Sequence, residues 1–316
     1  MMRVFVYEHL SGADAADADA ELLAAGVAMR DAVVDDLLRA GDCAVSVATG
    51  PQRPAPGAAV RALHRPQGQP AIDFVAAQAR LHDRTWVIAP ETGGVLAQLQ
   101  RAVGAPRWLG CDAGAIALAS SKRATIARAA AHGLMTPLAF AGSPTTRRWI
   151  VKPDDGAGAT DTRVHNTLAA ARDDLRARQA SGAIATLEAW VVGEPLSLSL
   201  LCAAGRAELL SVNRQRLVVD AFGVLSFSEV QIDALPPDDA RAGTLRAWAQ
   251  ALADAIPGLG GYVGVDLVWH AQRGPVLIEV NPRVTMSYVG LSAALGRNLA
   301  ADVLATHLME ACDVAA

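Results

Sequence analysis

The chain has 316 residues, enough for two or three lobes with cores of their own. A formal net charge of -4 and an aromatic content of 4% exclude a basic nucleic-acid surface and a base-stacking platform. No apolar run reaches the ~20 residues that span a bilayer, the opening "MMRVFVYEHLSG" lacks a signal-peptide core, and Cys43, Cys111, Cys202 and Cys312 are scattered, so a cytoplasmic protein is expected.

"RVFVYE" (3–8) is expected as the first strand, followed over 13–20 by an acidic loop, with helix as the alternative. Leu22, Leu23, Val27, Val33, Val34, Leu37 and Leu38 then recur at helical spacing up to a stop at Gly41. "CAVSVA" (43–48) predicts a second strand, 50–70 a loop, and "TWVIAPE" (85–91) a strand that leads through Gly93-Gly94 into a helix ending near Val103. Such alternation predicts a parallel sheet in an open α/β lobe.

A short helix is expected from 120 to Gly133, with Pro137 opening an extended piece. "RWIVKPDDGAGATDTRV" (148–164) predicts strand, glycine loop, strand, and 167–179 a helix. "TLEAWVVGEPLSLSLLCAAG" (186–205) predicts two strands broken at Gly193-Glu194-Pro195. A Pro/Asp-rich turn at 235–239, a helix near 240–255, a hairpin and a helix over 292–311 complete the chain.

Arginine supplies nearly every positive charge; of 28 basic side chains only Lys122 and Lys152 are lysines. A compact ammonium on a slender stem suits a point contact with phosphate.

The hairpin strands are "GVDLVWH" (264–270) and "PVLIEVN" (275–281). A turn symmetric about residues 272 and 273 sets Asp266 against Glu279 and Gly264 against Asn281. Period-two alternation places Asp266, Glu279 and Asn281 on one face, and Val265, Leu267, Trp269, Val276, Ile278 and Val280 on the other. Facing carboxylates with Cβ atoms about 5 Å apart destabilise a sheet; at an effective dielectric of about 20 the repulsion is roughly 3 kcal/mol. Unless the polar face is simply wet, a cation or a shared proton is expected to offset it. The donors are hard oxygens, which suit Mg²⁺ or Mn²⁺ completed by substrate phosphates. Gly264 is expected to leave room for those phosphates.

No GxxxxGK and no GxGxxG after the first strand is present. Instead Lys152 ends a strand, and the small residues from Gly156 to Ala159, if not simply a turn, can fold backbone N–H groups over phosphates.

On these motifs the chain resembles the ATP-grasp superfamily. The resemblance implies an ATP-grasp fold with α/β and α+β lobes: an N-terminal domain over 1–107, a small subdomain over 108–192, and a larger one over 193–316 carrying the hairpin. It implies that Lys122 and Lys152 contact the nucleotide phosphates, and that Glu188 and Glu194 lie at the adenine edge and the ribose. It assigns Mg²⁺ (or Mn²⁺) to Asp266, Glu279 and Asn281, and phosphate or acyl-phosphate oxygens to Arg283. Many relatives carry Arg where this chain has Gly264, so either Arg283 stabilises the transferring phosphate alone or Arg214 or Arg216 assists it. "FVYEHLSG", "WVIAPET", "GEPLSLSLL" and "EVNPRVTMSYVGL" resemble the tyramine–glutamate ligases of methanofuran synthesis and their counterparts in methylotrophic bacteria.

The implied reaction is ATP-dependent carboxylate–amine ligation through an acyl phosphate, joining glutamate to tyramine or tyrosine. Ser287 or Tyr288 would hydrogen-bond substrate, with packing the other reading of Tyr288. Glu8 and Glu91, at strand ends of the first lobe, would hold the amine, unless they are simply solvated. The partners are then small molecules, with no nucleic acid and no membrane; a homodimer is compatible. A kinase or carboxylase on the same scaffold and a non-catalytic nucleotide-binding module are the alternatives.

Overall fold

The computed structural model describes residues 1–12, 19–50, 57, 59–156, 158–236 and 238–313. The acidic loop expected at 13–20 lies almost wholly outside them, as do Ala157 of the glycine loop and Pro237. Among the described residues no helix is long and apolar enough to cross a membrane.

The first sheet contains β1 (Met2–Glu8), β2 (Cys43–Ala48), β3 (Arg61–Leu63), β4 (Arg84–Ile88) and β5 (Trp108–Leu109) in the order β3-β2-β1-β4-β5. All its pairings are parallel. Helices α1 (Ala20–Arg39), α2 (Ala71–Leu81) and α3 (Val95–Val103) connect its strands. Val4, Phe5 and Val6 are fully buried, because helices cover both faces of a parallel sheet and its strands become continuous apolar runs. Two edge strands escaped the sequence reading, since three and two residues give no period to detect. Trp108 and Leu109 pair with β4, so this sheet runs past the boundary expected at 107.

Helices α4 (Ala113–Ala119) and α5 (Lys122–Ala131) follow, capped by Asp112 and Ser121, whose side chains accept from Ala115 N and Ala124 N. Pro137 does not open an extended piece. It starts a single 3-10 turn through Phe140, because its fixed φ suits a first helical position. The second sheet has β6 (Trp149–Pro153), β7 (Arg163–His165) and β8 (Ala185–Ala189), antiparallel in the order β7-β6-β8, packed against α6 (Leu168–Ala180).

The third sheet has β9 (Glu194–Ala203), β10 (Arg206–Val219), β11 (Leu225–Gln231), β12 (Gly261–His270) and β13 (Gly274–Asn281), ordered β11-β10-β9-β12-β13. One face carries Leu196, Leu198, Leu200, Val212, Val263, Val265, Leu267 and Val280, buried against α7 (Ala242–Ala255). The other carries buried polar groups that satisfy one another. Asn213 Nδ2 donates to Ser199 Oγ at 3.1 Å, Ser199 and the Tyr262 hydroxyl are 2.9 Å apart, and Ser211 Oγ donates to Asn213 Oδ1 at 3.0 Å. The expected C-terminal helix is two, α8 (Leu291–Leu295) and α9 (Leu299–Asp313), separated at Gly296 with φ 62°.

At its open end the hairpin has the expected register, with Asp266 opposite Glu279 and Gly264 opposite Asn281. A bulge between Asp266 and Leu267 shifts the remainder, so Leu267 faces Leu277 and His270 faces Gly274. One extra residue inverts the alternation beyond it. Leu277 therefore joins the core under α7, whereas Val276 and Ile278 pack with Phe140 and Val191, contrary to the single apolar face expected.

Gly264 does not leave open room. A Cβ there would lie 2.5 Å from Thr285 Cγ2 and 3.0 Å from its Oγ1. Gly264→Ala is expected to destabilise the fold by about 1–3 kcal/mol, read as a lower urea midpoint, and Thr285→Ala in that background should recover most of it. An unchanged midpoint in the single variant would disprove the close approach.

Candidate functional site

The two lysines of this arginine-rich chain are 6% and 5% exposed, and each meets a carboxylate. Lys122, the first residue of α5, places Nζ 2.9 Å from Glu279 Oε1 on β13, and the same ammonium donates to the Gly156 carbonyl. Lys152 on β6 lies 3.0 Å from Glu188 Oε2 on the neighbouring strand β8. Asp154 joins the two lysine-bearing elements. It accepts from Ser121 Oγ at 2.6 Å and Arg123 N at 2.9 Å, and its carbonyl accepts from Lys122 N at 2.9 Å. The start of α5 is thereby fixed two residues beyond Lys152. Sequence reading missed Asp154, although period two from Lys152 points to it.

The glycine loop is anchored to the first lobe: Asp155 Oδ2 accepts from Gly93 N at 2.8 Å, and Thr92 Oγ1 donates to the Asp155 carbonyl at 3.1 Å. Gly158 and Ala159 both have positive φ, 65° and 61°. A non-glycine residue in that region is strained.

The acidic pair divides its partners. Glu279 takes the Lys122 ammonium. Asp266 takes two amides, Gln215 Nε2 at 2.7 Å on Oδ1 and Asn281 Nδ2 at 3.2 Å on Oδ2. Burial, and next the neighbouring Glu279, push the Asp266 carboxyl up to about 6, against the two hydrogen bonds. Arg283 forms a two-pronged pair with Glu91, Nε to Oε1 and a terminal nitrogen to Oε2, both at 3.0 Å. Burial opposes its charge, but Glu91, Glu279 and Asp266 outweigh burial and raise its pKa.

Several expected contacts are not formed. Glu8 accepts from Leu10 N at 3.0 Å and Ser11 N at 2.6 Å. It is covered by α1, where a Cβ on Gly26 would come within 2.6 Å of its carboxylate. Its oxygens cap a turn instead of facing an amine. Glu91 is engaged by Arg283 and not left solvated. Glu194 and Arg214 pair with each other at 2.7 Å, and Arg241 adds a second bond to Glu194 at 2.6 Å. In the register Ser197 faces Asp266 while Glu194 faces Trp269, so alternation turns Glu194 and Arg214 to the sheet face opposite the acidic pair. Arg216 shares the parity of Arg214. Tyr288 is 1% exposed; its hydroxyl donates to Asp36 Oδ2 at 2.7 Å and its ring meets Trp86 and Tyr262. Ser287 is buried 3.3 Å from Ser197 Oγ. The chain after Arg283 folds back onto α1, where Tyr288 packs, whereas Ser287 stays beside Ser197 on the sheet face of Asp266.

The donor set fits the implied metal. Among the described residues no three His, Cys, Asp or Glu side chains gather to hold an ion alone, whereas Asp266, Glu279 and the Asn281 carbonyl oxygen offer hard donors to an ion shared with phosphates. Glu188 Oε1 is buried without any hydrogen-bond partner, an acceptor that costs free energy until a donor such as an amino group reaches it.

A family model described as ATP-grasp domain matches residues 119–287, and one described as pre ATP-grasp 3 domain matches residues 43–116. No curated protein matches the chain. Among solved structures it is similar to a protein assigned to the ATP-grasp superfamily from Archaeoglobus fulgidus, with TM-score 0.71, 20% identity, and coverage of 96% of this chain and 88% of that one. It is also similar to an L-amino acid ligase from Bacillus licheniformis, with TM-score 0.68, 17% identity and coverage of 96% and 73%. A biotin carboxylase–β-γ-ATP complex from Campylobacter jejuni gives TM-score 0.69, 13% identity and coverage of 97% and 71%. At such identities the likeness is one of fold.

Proposed function

This chain belongs to the ATP-grasp family, and from that premise we propose that it is an ATP-dependent carboxylate–amine ligase. The observation that carries the reading is Lys122. One buried ammonium joins the start of α5, the glycine loop through Gly156, and the hairpin acid Glu279.

In the proposed reaction a substrate carboxylate oxygen attacks the γ-phosphorus of ATP. An O–P bond forms, the bridging P–O bond breaks, and ADP leaves. The amine nitrogen then attacks the acyl carbon; a C–N bond forms, phosphate departs with the C–O electron pair, and the amine loses a proton. No protein nucleophile is needed, so positioning and charge compensation carry the catalysis. Lys122 and Lys152 hold the nucleotide phosphates, with Gly156 and Gly158 shaping the loop above them. Glu188 directs its unpartnered oxygen to the base. Asp266, Glu279 and Asn281 hold Mg²⁺ or Mn²⁺, which when bound compensates phosphate charge. Arg283, steadied by Glu91, faces the transferring phosphoryl group.

The finer proposal is that the acyl donor is glutamate, through its γ-carboxylate, and the acceptor tyramine or tyrosine, in synthesis of a methanofuran-type one-carbon carrier. It is supported by the motifs around Glu8, Glu91, Glu194 and Arg283 that resemble those ligases. A panel of amines with ATP, Mg²⁺ and glutamate tests both levels. Tyramine or tyrosine should give ADP, phosphate and one amide in equal amounts. ATP turnover independent of every amine would refute ligation and favour a carboxylase or kinase. An amide formed only with other amines would refute the finer proposal alone.

A further inference from the structure

We propose that Gln215 is a positioning residue that orients Asp266 for the divalent cation without adding a positive charge beside it. The proposal rests on the nucleotide–metal reading of the site, but its test requires neither the acyl donor nor the amine.

Gln215 lies on β10, two strands away from Asp266, with β9 between them. Alternation along β10 sets it beside Asn213 and away from Arg214 and Arg216, and its Nε2 donates to Asp266 Oδ1 at 2.7 Å. The second carboxylate oxygen accepts Asn281 Nδ2 at 3.2 Å. Both oxygens of Asp266 are thus oriented by neutral amides, whereas Glu279 is met by an ammonium.

The difference matters for an ion. A lysine or arginine at 215 would neutralise Asp266 and compete with a divalent cation. An amide fixes the rotamer, uses one lone pair, and leaves the negative charge available. Asn281, having turned its nitrogen to Asp266, points its carbonyl oxygen elsewhere as a further ligand. Partners of this kind behind a ligand typically contribute 10–100-fold to metal affinity.

Mn²⁺ binding to the whole protein in the presence of ADP, followed by electron paramagnetic resonance of free Mn²⁺, reads the effect. Gln215→Met keeps the side-chain length without the donor, and Gln215→Ala removes both. Each should weaken Mn²⁺ binding about 10–100-fold, with the thermal midpoint and ADP affinity in EDTA unchanged. Restoring a donor of different reach with Gln215→His should recover part of the loss. Equal Mn²⁺ affinity in wild type and the Met variant would overturn this inference and leave the site reading standing. So would a parallel loss of ADP affinity in EDTA, which marks a general structural role. Failure of the wild type to bind Mn²⁺ with ADP would overturn the metal reading and this inference together.

Discussion

Glu279→Gln is expected to lower ATP turnover by roughly a thousandfold, about 4 kcal/mol in the barrier, while ADP binding weakens by less than about tenfold. The substitution preserves shape and removes one charge where two demands meet. Glu279 holds the Lys122 ammonium at 2.9 Å and faces Asp266 across the hairpin. Without that charge the proposed cation loses a ligand, and Lys122 is left buried beside a neutral amide and the Gly156 carbonyl. Binding of ADP depends more on Lys152, Glu188 and the glycine loop, which the substitution does not touch. Phosphate release with substrates and calorimetric titration of ADP separate the two effects. Turnover within tenfold of wild type would end the metal assignment; loss of ADP binding together with turnover would relocate Glu279 to the nucleotide pocket.

The parts of this site legible in the sequence are those fixed by local periodicity. Asp266 and Glu279 face each other because the hairpin is short and each strand alternates, and the bulge that shifts the register falls on the far side of the acids. Lys122 and Lys152 stood out because the chain otherwise uses arginine. Periodicity decides least where burial and pairing govern, as at Tyr288, for which substrate contact and packing both stood open. Glu8 and Tyr288 carry polar atoms that the fold directs inward, to a backbone turn and to Asp36. Asp36 lies 252 residues from Tyr288, beyond the reach of spacing, whereas Glu8 turns back on Leu10 N and Ser11 N, a local cap that its place at a strand end does not reveal. The resemblance implies a ribose contact for Glu194, but strand parity decides which face it takes, and parity turns it toward Arg214 and Arg241. Gln215 carries no charge and no motif, and only the pairing of β10 with β9 and β12 shows that the face turned toward Asp266 belongs to it and not to the arginines on either side. Gly264 reads as space in a sequence, yet only the fold shows Thr285 filling it.

Removing Glu91 should test how the first lobe is joined to the hairpin. The Glu91 carboxylate follows β4, Arg283 follows β13, and both side chains are nearly buried, 5% and 11% exposed. Breaking a buried pair by deleting one partner typically costs about 3–5 kcal/mol, whereas exchanging both for apolar groups is often close to neutral. Glu91→Ala is therefore expected to destabilise by about 3–5 kcal/mol, because Arg283 loses its two-pronged acceptor in a site that burial makes unfavourable for charge. The Glu91→Ala, Arg283→Met double variant should recover much of the stability and none of the activity, since the proposed role of Arg283 at the phosphoryl group requires its guanidinium. Glu91→Asp, one methylene shorter, should retain measurable turnover and lose more in kcat than in KM for ATP, as a displaced Arg283 affects the transferring group more than nucleotide binding. Urea titrations of the four members of the cycle give the coupling directly. Additive stability effects, within about 0.5 kcal/mol, would mean that the two side chains act independently; the arginine would then owe its orientation to Val284 and the hairpin acids, and the first lobe would contribute nothing to the position of that group.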